Sequence, residues 1–312
     1  MTYNNWHNHF VLAARERELG RTAELAAEVR SGALVRVTRG VYRRASTITS
    51  DPQRLADDAY LAKVRAAQLL ALEPLVFSGL AAARVWDLPI VGSWPDRVSV
   101  SVAREAGGRS NSHLARSYIG YPPPSVERDG LVITSLARTV ADVARTESFV
   151  RAVAMVDAAL RGSKHRKPVS KDTVFRVLEG FSSAPGVLKA AGAVHFGDAA
   201  SGSPGESCSR AGIRQLGFPA PVLQQPFSDR AGLIGIVDFW WPHCKLVGEF
   251  DGRGKYLREE FTQGRPTAEI VVDEKVREDR LRALGFSVTR WDWPVALSLP
   301  LLEAKLRDAG LR

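Results

Sequence analysis

The sequence predicts a multidomain protein of the α/β class, with helices and strands mixed along the chain. Its 312 residues exceed the roughly 100 to 200 residues of a typical domain, so we expect two or three domains. Two helical patterns and a short strand pair come first, and a helix, three strands, a helix and a strand come last. Turn signals and composition divide the chain into the predicted segments 1–50, 51–198 and 199–312.

The composition favours a partner with negative charge. Lysine and arginine number 43 against 34 acidic residues, a formal net charge of +9, which favours a polyanion such as nucleic acid, although a solvated basic surface is the alternative. Two cysteines, Cys208 and Cys244, are too few for a disulfide scaffold. Neither a signal peptide nor an apolar run of roughly 18 residues is present. We therefore expect a soluble cytoplasmic protein without a membrane partner.

The first segment predicts two helices and a basic hairpin. Helical patterns cover His9 to Leu19 and Thr22 to Val29 and precede "SGALVRVTRGVYRRA". In that stretch apolar and polar residues alternate, "RG" supplies a turn, and "VYRR" returns, which is typical of a hairpin. This order is the pattern of a winged helix-turn-helix, a fold used for DNA and also for protein partners. The predicted DNA-binding residues are Arg36, Arg39, Arg43 and Arg44.

The same stretch resembles the N-terminal domain of AbiEi-type antitoxins. Their "SG.L.R..RGVY" ending is matched by Ser31, Gly32, Leu34, Arg36, Arg39, Gly40, Val41 and Tyr42. The match covers about twenty residues. It implies a DNA-binding module and, as a further partner, a toxin or another defence protein.

The middle segment predicts a mixture of helices and strands and no catalytic constellation. Helical patterns at Leu55 to Leu72 and Ser148 to Leu160 flank "RVSVSV" and a strand at Leu131 to Ile133, after which Thr134 or Ser135 is the expected helix N-cap. The segment loosely resembles the middle region of AbiEi-like proteins. Basic "RGSKHRKPVSK", residues 161–171, is expected to be an exposed connection.

The last segment predicts the order α-β-β-β-α-β. The first helix opens at Ser203, with Pro204 in its first turn. The remaining elements are expected near Val222 to Pro226, Leu233 to Trp241, Leu246 to Phe250, Ala268 to Leu284 and "FSVTRWDW", before a closing helix.

Three carboxylates are predicted to meet on one face of this sheet. If "PHCK" is a four-residue hairpin loop, Trp241 pairs with Leu246, and counting back places Asp238 opposite Glu249; Asp251 shares the face of Glu249 because strand side chains alternate. Like charges so close are destabilising unless a cation compensates. A hard divalent ion such as Mg²⁺, or Mn²⁺ in its place, suits carboxylate oxygens. The alternative is an exposed face whose acids pair with nearby arginines.

The element order and the motifs resemble the PD-(D/E)XK restriction-endonuclease superfamily. In particular "VDFWWP…LVGEFDGRGKY…EKVREDRLRALGFSVTRWDW" is similar to its very-short-patch-repair (Vsr-like) relatives, over about a hundred residues. The resemblance implies that Asp238 and Glu249 bind metal and that Glu206 supports them. Asp251 stands where many members have lysine, so Lys255 or Lys275 is the candidate for the missing cation.

Several of these residues have a structural explanation as well. Ser203 and Glu206 form an S-x-x-E capping box, which accounts for the glutamate without catalysis. Arg277 and Arg280, which the resemblance places in the helical signature, could form a solvated helix face with neighbouring acids. His243 and Cys244 lack the two further ligands of a zinc site.

These observations predict a DNA-binding protein that hydrolyses DNA phosphodiesters with Mg²⁺ or Mn²⁺. The resemblance alone suggests a place in defence or mobile-element biology. Two alternatives stay open: an AbiEi-like antitoxin or transcriptional regulator whose nuclease-like domain is inactive, and a nuclease directed at RNA.

Overall fold

The computed structural model describes residues 6–45, 51–102, 110–118, 123–181, 184–252 and 267–312. It is a mixed α/β structure with helices and several sheets, and its contacts divide it into two compact units, 1–143 and 144–312. The predicted middle segment 51–198 is therefore divided between the two units. No helix in the described ranges is long and apolar enough to cross a membrane.

The first unit begins with a small three-stranded sheet and two helices. The elements are β1 (Phe10–Leu12), α1 (Ala13–Glu18), α2 (Thr22–Arg30), β2 (Leu34–Thr38) and β3 (Val41–Arg44). The strands are antiparallel in the order β1-β3-β2. The predicted hairpin is confirmed, and Gly40, at a φ of 80°, supplies the left-handed conformation that its turn requires.

One predicted helix was wrong at its start. Instead of a helix from residue 9, Phe10 to Leu12 form β1 and pair with Arg43 to Val41, and α1 follows only at Ala13. The pairing partner lies some thirty residues further along the chain. Local periodicity carries no information about such a partner, so a three-residue apolar strand is indistinguishable from a helix start.

The rest of the first unit contains a five-stranded sheet in the order β6-β5-β4-β8-β7. Its core is built around Trp6, Tyr60, Phe77 and Ile133. Ser135, rather than Thr134, caps α5, since its hydroxyl accepts from the amide of Arg138. The elements are α3 (Pro52–Leu70), β4 (Val76–Phe77), α4 (Gly79–Val85), β5 (Val98–Val102), β6 (Leu114–Tyr118), β7 (Ser125–Arg128), β8 (Leu131–Thr134) and the start of α5 (Leu136–Thr146).

Four helices precede the sheet of the second unit. They are α6 (Phe149–Arg161), α7 (Lys171–Glu179), α8 (Val187–Phe196) and α9 (Pro204–Gln215). Residues Ala152 to Ala159 of α6 are all buried and, apart from Asp157, all apolar, and the helix packs against α8 and α9. As predicted, Ser203 caps α9: its hydroxyl accepts from the amide of Glu206 at 3.2 Å.

The remaining elements of the second unit follow the predicted order of strands and helices. They are β9 (Val222–Asp229), β10 (Gly232–Trp241), β11 (Leu246–Phe250), α10 (Thr267–Ala283), β12 (Ser287–Trp291), α11 (Trp293–Ala296) and α12 (Leu299–Asp308). The sheet order is β12-β11-β10-β9, with only the β11–β12 pair parallel. The predicted pairing of Trp241 with Leu246 is confirmed.

Apolar clusters cover both faces of this sheet. Phe239, Trp241, Phe250 and Trp291 belong to the cluster that includes α9 and α12. Val247 packs with Leu281 of α10 and other residues in a second, smaller cluster.

The second face is less buried than expected. Ile236 was predicted to be covered together with Ile234, yet Ile236 is 54% exposed and Ile234 is 7% exposed. The register between β9 and β10 shifts between Leu233 and Gly235. Such a bulge adds a residue to one strand and breaks the simple alternation of faces on which the prediction relied.

Candidate functional site

Glu206 lies in the first turn of α9 and is 4% exposed. Its carboxylate Oε2 accepts from the amide of Gly202 at 2.7 Å, which satisfies one free amide before the helix. The same oxygen accepts from Nε2 of Gln224 on β9 at 2.9 Å. The capping explanation therefore holds for Glu206, and the side chain also takes part in a second network.

Gln224 connects Glu206 to Asp238. Its Nε2 lies 3.3 Å from Oδ1 of Asp238, and the amide of Phe250 donates to Oδ2 of Asp238 at 2.8 Å. The backbone of Gln224 has a φ of 50°, which a residue with a side chain seldom adopts. The fold thus holds an unfavourable backbone conformation that directs one amide group towards two carboxylates.

Glu249 lies in a different network, with two arginines. Nη2 of Arg277, on α10, contacts Oε1 of Glu249, and Nη2 of Arg290, on β12, lies 3.0 Å from Oε2. The parallel pairing of β11 and β12 aligns Arg290 with Glu249. Glu274 completes the cluster through contacts to both arginines, at 3.1 and 2.7 Å.

Burial and charge act against each other in this cluster. Burial raises the pKa of Glu249, and the charges of Arg277 and Arg290 offset only part of that effect. Burial also opposes ionisation of Glu274, but hydrogen bonds and charges from the same arginines outweigh it, so the pKa of Glu274 is lowered. The ionised form of Glu249 therefore depends on the two guanidinium groups.

Arg280 of the same helix does not form a solvated surface pair either. Its Nη2 and Nε lie 2.6 and 2.8 Å from the two carboxylate oxygens of Asp229, at the end of β9. Both arginines of the helical signature thus contact acids from the sheet, and Arg280 does so in the bidentate geometry that guanidinium favours.

Two of the predicted metal ligands, Asp238 and Glu249, have protein partners for their carboxylates. Among the described residues no three His, Cys, Asp or Glu side chains are grouped so that they could hold a metal ion. Each oxygen of Glu249 already has a guanidinium partner, and Asp238 is held by Gln224 and by the amide of Phe250. Asp251 is half-buried, and its amide donates to the carbonyl of Trp291. This arrangement of the carboxylates does not fit a Mg²⁺ or Mn²⁺ ion.

Among the described residues, the cations beside the predicted acids are arginines. Lys275 is exposed on α10, and Lys255 lies outside the described residues. The cations that contact Glu249 are Arg277 and Arg290. Arg290 was not predicted, although the charge complementarity between it and Glu249 would follow from a correct register for the parallel strands.

Three of the four arginines predicted to contact DNA are exposed. Arg36 and Arg44 are exposed on the β2–β3 hairpin, and Arg39 is exposed at its turn. Arg43 is half-buried, and its Nη1 lies 3.3 Å from the carbonyl of Asp58 on α3. Arg43 thus links the hairpin to α3, while the other three arginines present their charge to solvent.

No protein-family model matches the chain. Two uncharacterized proteins of Mycobacterium tuberculosis, MT2308 and Rv2248, are each 30% identical to it over 159 residues, which is 51% of this chain and 54% of each relative. The chain thus spans about half the length of the curated relatives that it matches. The crystal structure of the RV2827C protein from Mycobacterium tuberculosis covers 70% of this chain and 83% of its own, at 13% identity and a TM-score of 0.34. Neither similarity identifies an activity.

Proposed function

We propose that this protein binds duplex DNA through a winged helix in its first unit and acts as a regulator rather than as a nuclease. The observation that carries the proposal is the β2–β3 hairpin, which displays Arg36, Arg39 and Arg44 to solvent. Exposed arginines on a projecting hairpin are suited to neutralising phosphates.

The connectivity of the first unit supports this proposal. Strand β1, helices α1 and α2 and the hairpin follow one another in the chain, and the hairpin strand β3 pairs with β1. This order agrees with the winged helix that we propose. The second helix carries Glu24 and Glu28 and a single arginine, Arg30. Because those acids repel phosphates, we expect the hairpin to supply most of the electrostatic affinity, with little preference for sequence.

The second unit supports a regulatory role. Its order α9-β9-β10-β11-α10-β12 agrees with the order expected from the sequence resemblance to the PD-(D/E)XK superfamily. The carboxylate of Glu249, however, forms ion pairs with Arg277 and Arg290. A nuclease fold whose acids are held by arginines agrees with the AbiEi-like interpretation, in which the further partner is a toxin or another defence protein.

Metal-dependent hydrolysis of DNA is the second candidate. It is favoured by one observation, the partly buried network in which Gln224 joins Glu206 and Asp238. It requires that Glu249 exchange its arginines for Mg²⁺ or Mn²⁺.

DNA binding is tested by fluorescence anisotropy with a labelled duplex between about 50 and 200 mM salt. We expect the triple variant Arg36→Ala, Arg39→Ala, Arg44→Ala to bind more weakly and to lower the slope of log affinity against log salt by up to about 3, since each phosphate contact contributes about 0.9. The matched control is Lys189→Ala, Lys305→Ala, Arg312→Ala, which removes three exposed charges from the second unit. Equal slopes for the two triple variants would show that the hairpin does not contact the DNA phosphates.

Hydrolysis is tested with supercoiled plasmid and either Mg²⁺ or Mn²⁺, beside the double variant Asp238→Ala, Glu249→Ala. Binding without nicking under both metals is the expected result. Nicking by the unaltered protein alone would replace the regulatory proposal with the second candidate, and a parallel assay on matched RNA would show which nucleic acid is cleaved.

A further inference from the structure

The loop that follows α6 concentrates positive charge on the second unit. Residues 161–168 read "RGSKHRKP", in which five of eight side chains are basic and none is acidic. The sequence alone suggested no more than an exposed connection. The geometry of the loop suggests a more specific use.

The loop has a defined conformation. Ser163 and Arg166 exchange backbone hydrogen bonds of 2.8 and 3.2 Å, and Gly162 has a φ of 75°. A Cβ at Gly162 would approach the carbonyl of Arg166 and the ring of Pro168 to 3.0 Å. Arg166 is buried, and its Nη2 donates to the carbonyl of Ala158, at 2.8 Å. The loop is therefore hydrogen-bonded to the last turns of α6. It lines an open concavity of about 650 Å³.

Lys164 and Lys167 are the side chains of the loop that are placed to meet an anion. Lys164, His165, Lys167 and Arg161 are exposed. Within the part of the chain that the structure describes, no ion pair involves Lys164 or Lys167, whereas exposed arginines elsewhere in this unit, such as Arg282 and Arg307, pair with glutamates one helical turn away. Unpaired like charges in one loop repel each other, and a polyanion removes that repulsion.

The loop adjoins the carboxylate network of α9. Nη1 of Arg161 donates to the carbonyl of Ser201, and the hydroxyls of Ser201 and Ser207 lie 2.9 Å apart. The next residue, Gly202, donates its amide to Glu206. The cationic loop and the Glu206–Gln224–Asp238 network thus meet at the segment that enters α9.

We propose that the loop 161–168 is a second DNA contact, which binds the phosphodiester backbone of duplex DNA beside the entry of α9. The proposal rests on the DNA binding proposed for the first unit. Duplex DNA presents one negative charge per about 1.7 Å of its axis, so Lys164 and Lys167, with Arg161 beside them, can meet more than one phosphate at once. Contacts of this kind fix the position of the duplex and carry no sequence information.

The test compares two double charge reversals in the full chain, again by anisotropy with a labelled duplex. Lys164→Glu, Lys167→Glu alters the loop, and Lys189→Glu, Lys305→Glu makes the same change of charge at exposed helix positions. We expect the loop variant to bind at least tenfold more weakly than the control at low salt. The alanine pair Lys164→Ala, Lys167→Ala should lower the salt slope by about 2. Because both lysines are exposed, thermal unfolding should be unchanged.

The outcomes separate this inference from the proposed function. A loop variant that matches its control, while the hairpin triple variant still weakens binding, overturns the loop contact alone. Weakening by the loop variant but not by the hairpin variant supports the loop and overturns the winged-helix assignment. If the unaltered protein does not bind duplex DNA, both fail. Tighter, loop-dependent binding to a matched RNA duplex would overturn the assignment to DNA.

Discussion

Nη2 of Arg210 lies 2.9 Å from Oδ1 and 2.8 Å from Oδ2 of Asp157, in the interior of the second unit. Asp157 is on α6 and is fully buried, and Arg210 is on α9 and is 7% exposed. The amide of Asp198 also donates to Asp157, and Nη1 of Arg210 donates to the carbonyl of Phe196. The pair therefore joins α6 to α9, the helix that carries Glu206.

Replacing one member of this pair should be costly. Asp157→Asn keeps the shape but leaves the guanidinium of Arg210 without a counter-charge, and breaking a buried pair costs about 3 to 5 kcal/mol. For a unit of this size the loss corresponds to roughly 6 to 20 °C in Tm, measurable by calorimetry. The double variant Asp157→Leu, Arg210→Met should be more stable than either single variant, because it removes both charges. A stable Asp157→Asn protein would contradict this account.

The substitution Glu249→Gln distinguishes between two explanations of this carboxylate, a member of an ion-pair network and a ligand of a metal site. In EDTA we expect a loss of no more than about 1 kcal/mol, because Arg277 and Arg290 keep Glu274 as a counter-charge and the burial that raises the pKa of Glu249 offsets part of its pairing energy. If Glu249 instead crowded other carboxylates at an empty metal site, the substitution would relieve repulsion and raise Tm. The matched control is Glu303→Gln, which removes a surface pair with Arg307 and should cost less than about 0.5 kcal/mol.

Much of the second unit could be predicted from local signals. The Ser203 cap and the Trp241–Leu246 pairing depend on residues within a few positions of each other, and both are confirmed. Strand β1 depends on a partner some thirty residues away and was missed. The same limit applies to the site: Arg290 meets Glu249 only through the parallel pairing of β11 with β12. Alternation along a strand gives the face of an acid but not the side chain that neutralises it.

Gln224 has no recognisable sequence signal. Two substitutions can distinguish the effect of its hydrogen bonds on stability from the effect of its positive φ. Gln224→Ala removes a donor from the buried carboxylate of Glu206 and the partly buried carboxylate of Asp238 and should cost about 1 to 3 kcal/mol in urea unfolding. Gln224→Gly loses the same donor but tolerates the positive φ, so it should be about 1 kcal/mol more stable than the alanine variant.

The neighbouring Gln225 provides the control for this pair of substitutions. Its side chain donates to the carbonyl of Pro226 at 3.0 Å and contacts neither carboxylate. Gln225→Ala should therefore remain within about 0.5 kcal/mol of the unaltered protein. Equal losses for Gln224→Ala and Gln225→Ala would show that the network around Gln224 does not stabilise the fold.

Gly205 sets the distance between α9 and β11. A Cβ at this position would lie 2.0 Å from a ring atom of Phe250, in the tightly packed cluster between the helix and the sheet. Gly205→Ala should destabilise the unit by about 1 to 3 kcal/mol or more, since the ring must move. Gly192→Ala, in the middle of α8 with no atom within 4 Å, should stabilise it by about 0.5 to 1 kcal/mol. A neutral Gly205→Ala would contradict the close packing.

The ion pair between Asp229 and Arg280 should make the free energy of unfolding depend on pH in the acid range. Hydrogen bonds from Arg280 lower the pKa of Asp229 to about 2, against about 3.9 in an unfolded chain. Because the folded pKa is the lower one, the unfolded chain binds a proton first as the pH falls. The stabilisation is therefore complete above about pH 5 and is lost between about pH 4 and pH 2.

The measurement is the difference in unfolding free energy between the unaltered protein and Asp229→Asn, followed by urea titration at a series of pH values. That difference should be constant above about pH 5 and shrink below about pH 4. In an Arg280→Met background the carboxylate loses the hydrogen bonds that lower its pKa most and keeps the one from the amide of Ala231, so the difference should change much less with pH over this range. A difference that shrinks equally in both backgrounds would assign the acid sensitivity to a group other than this pair.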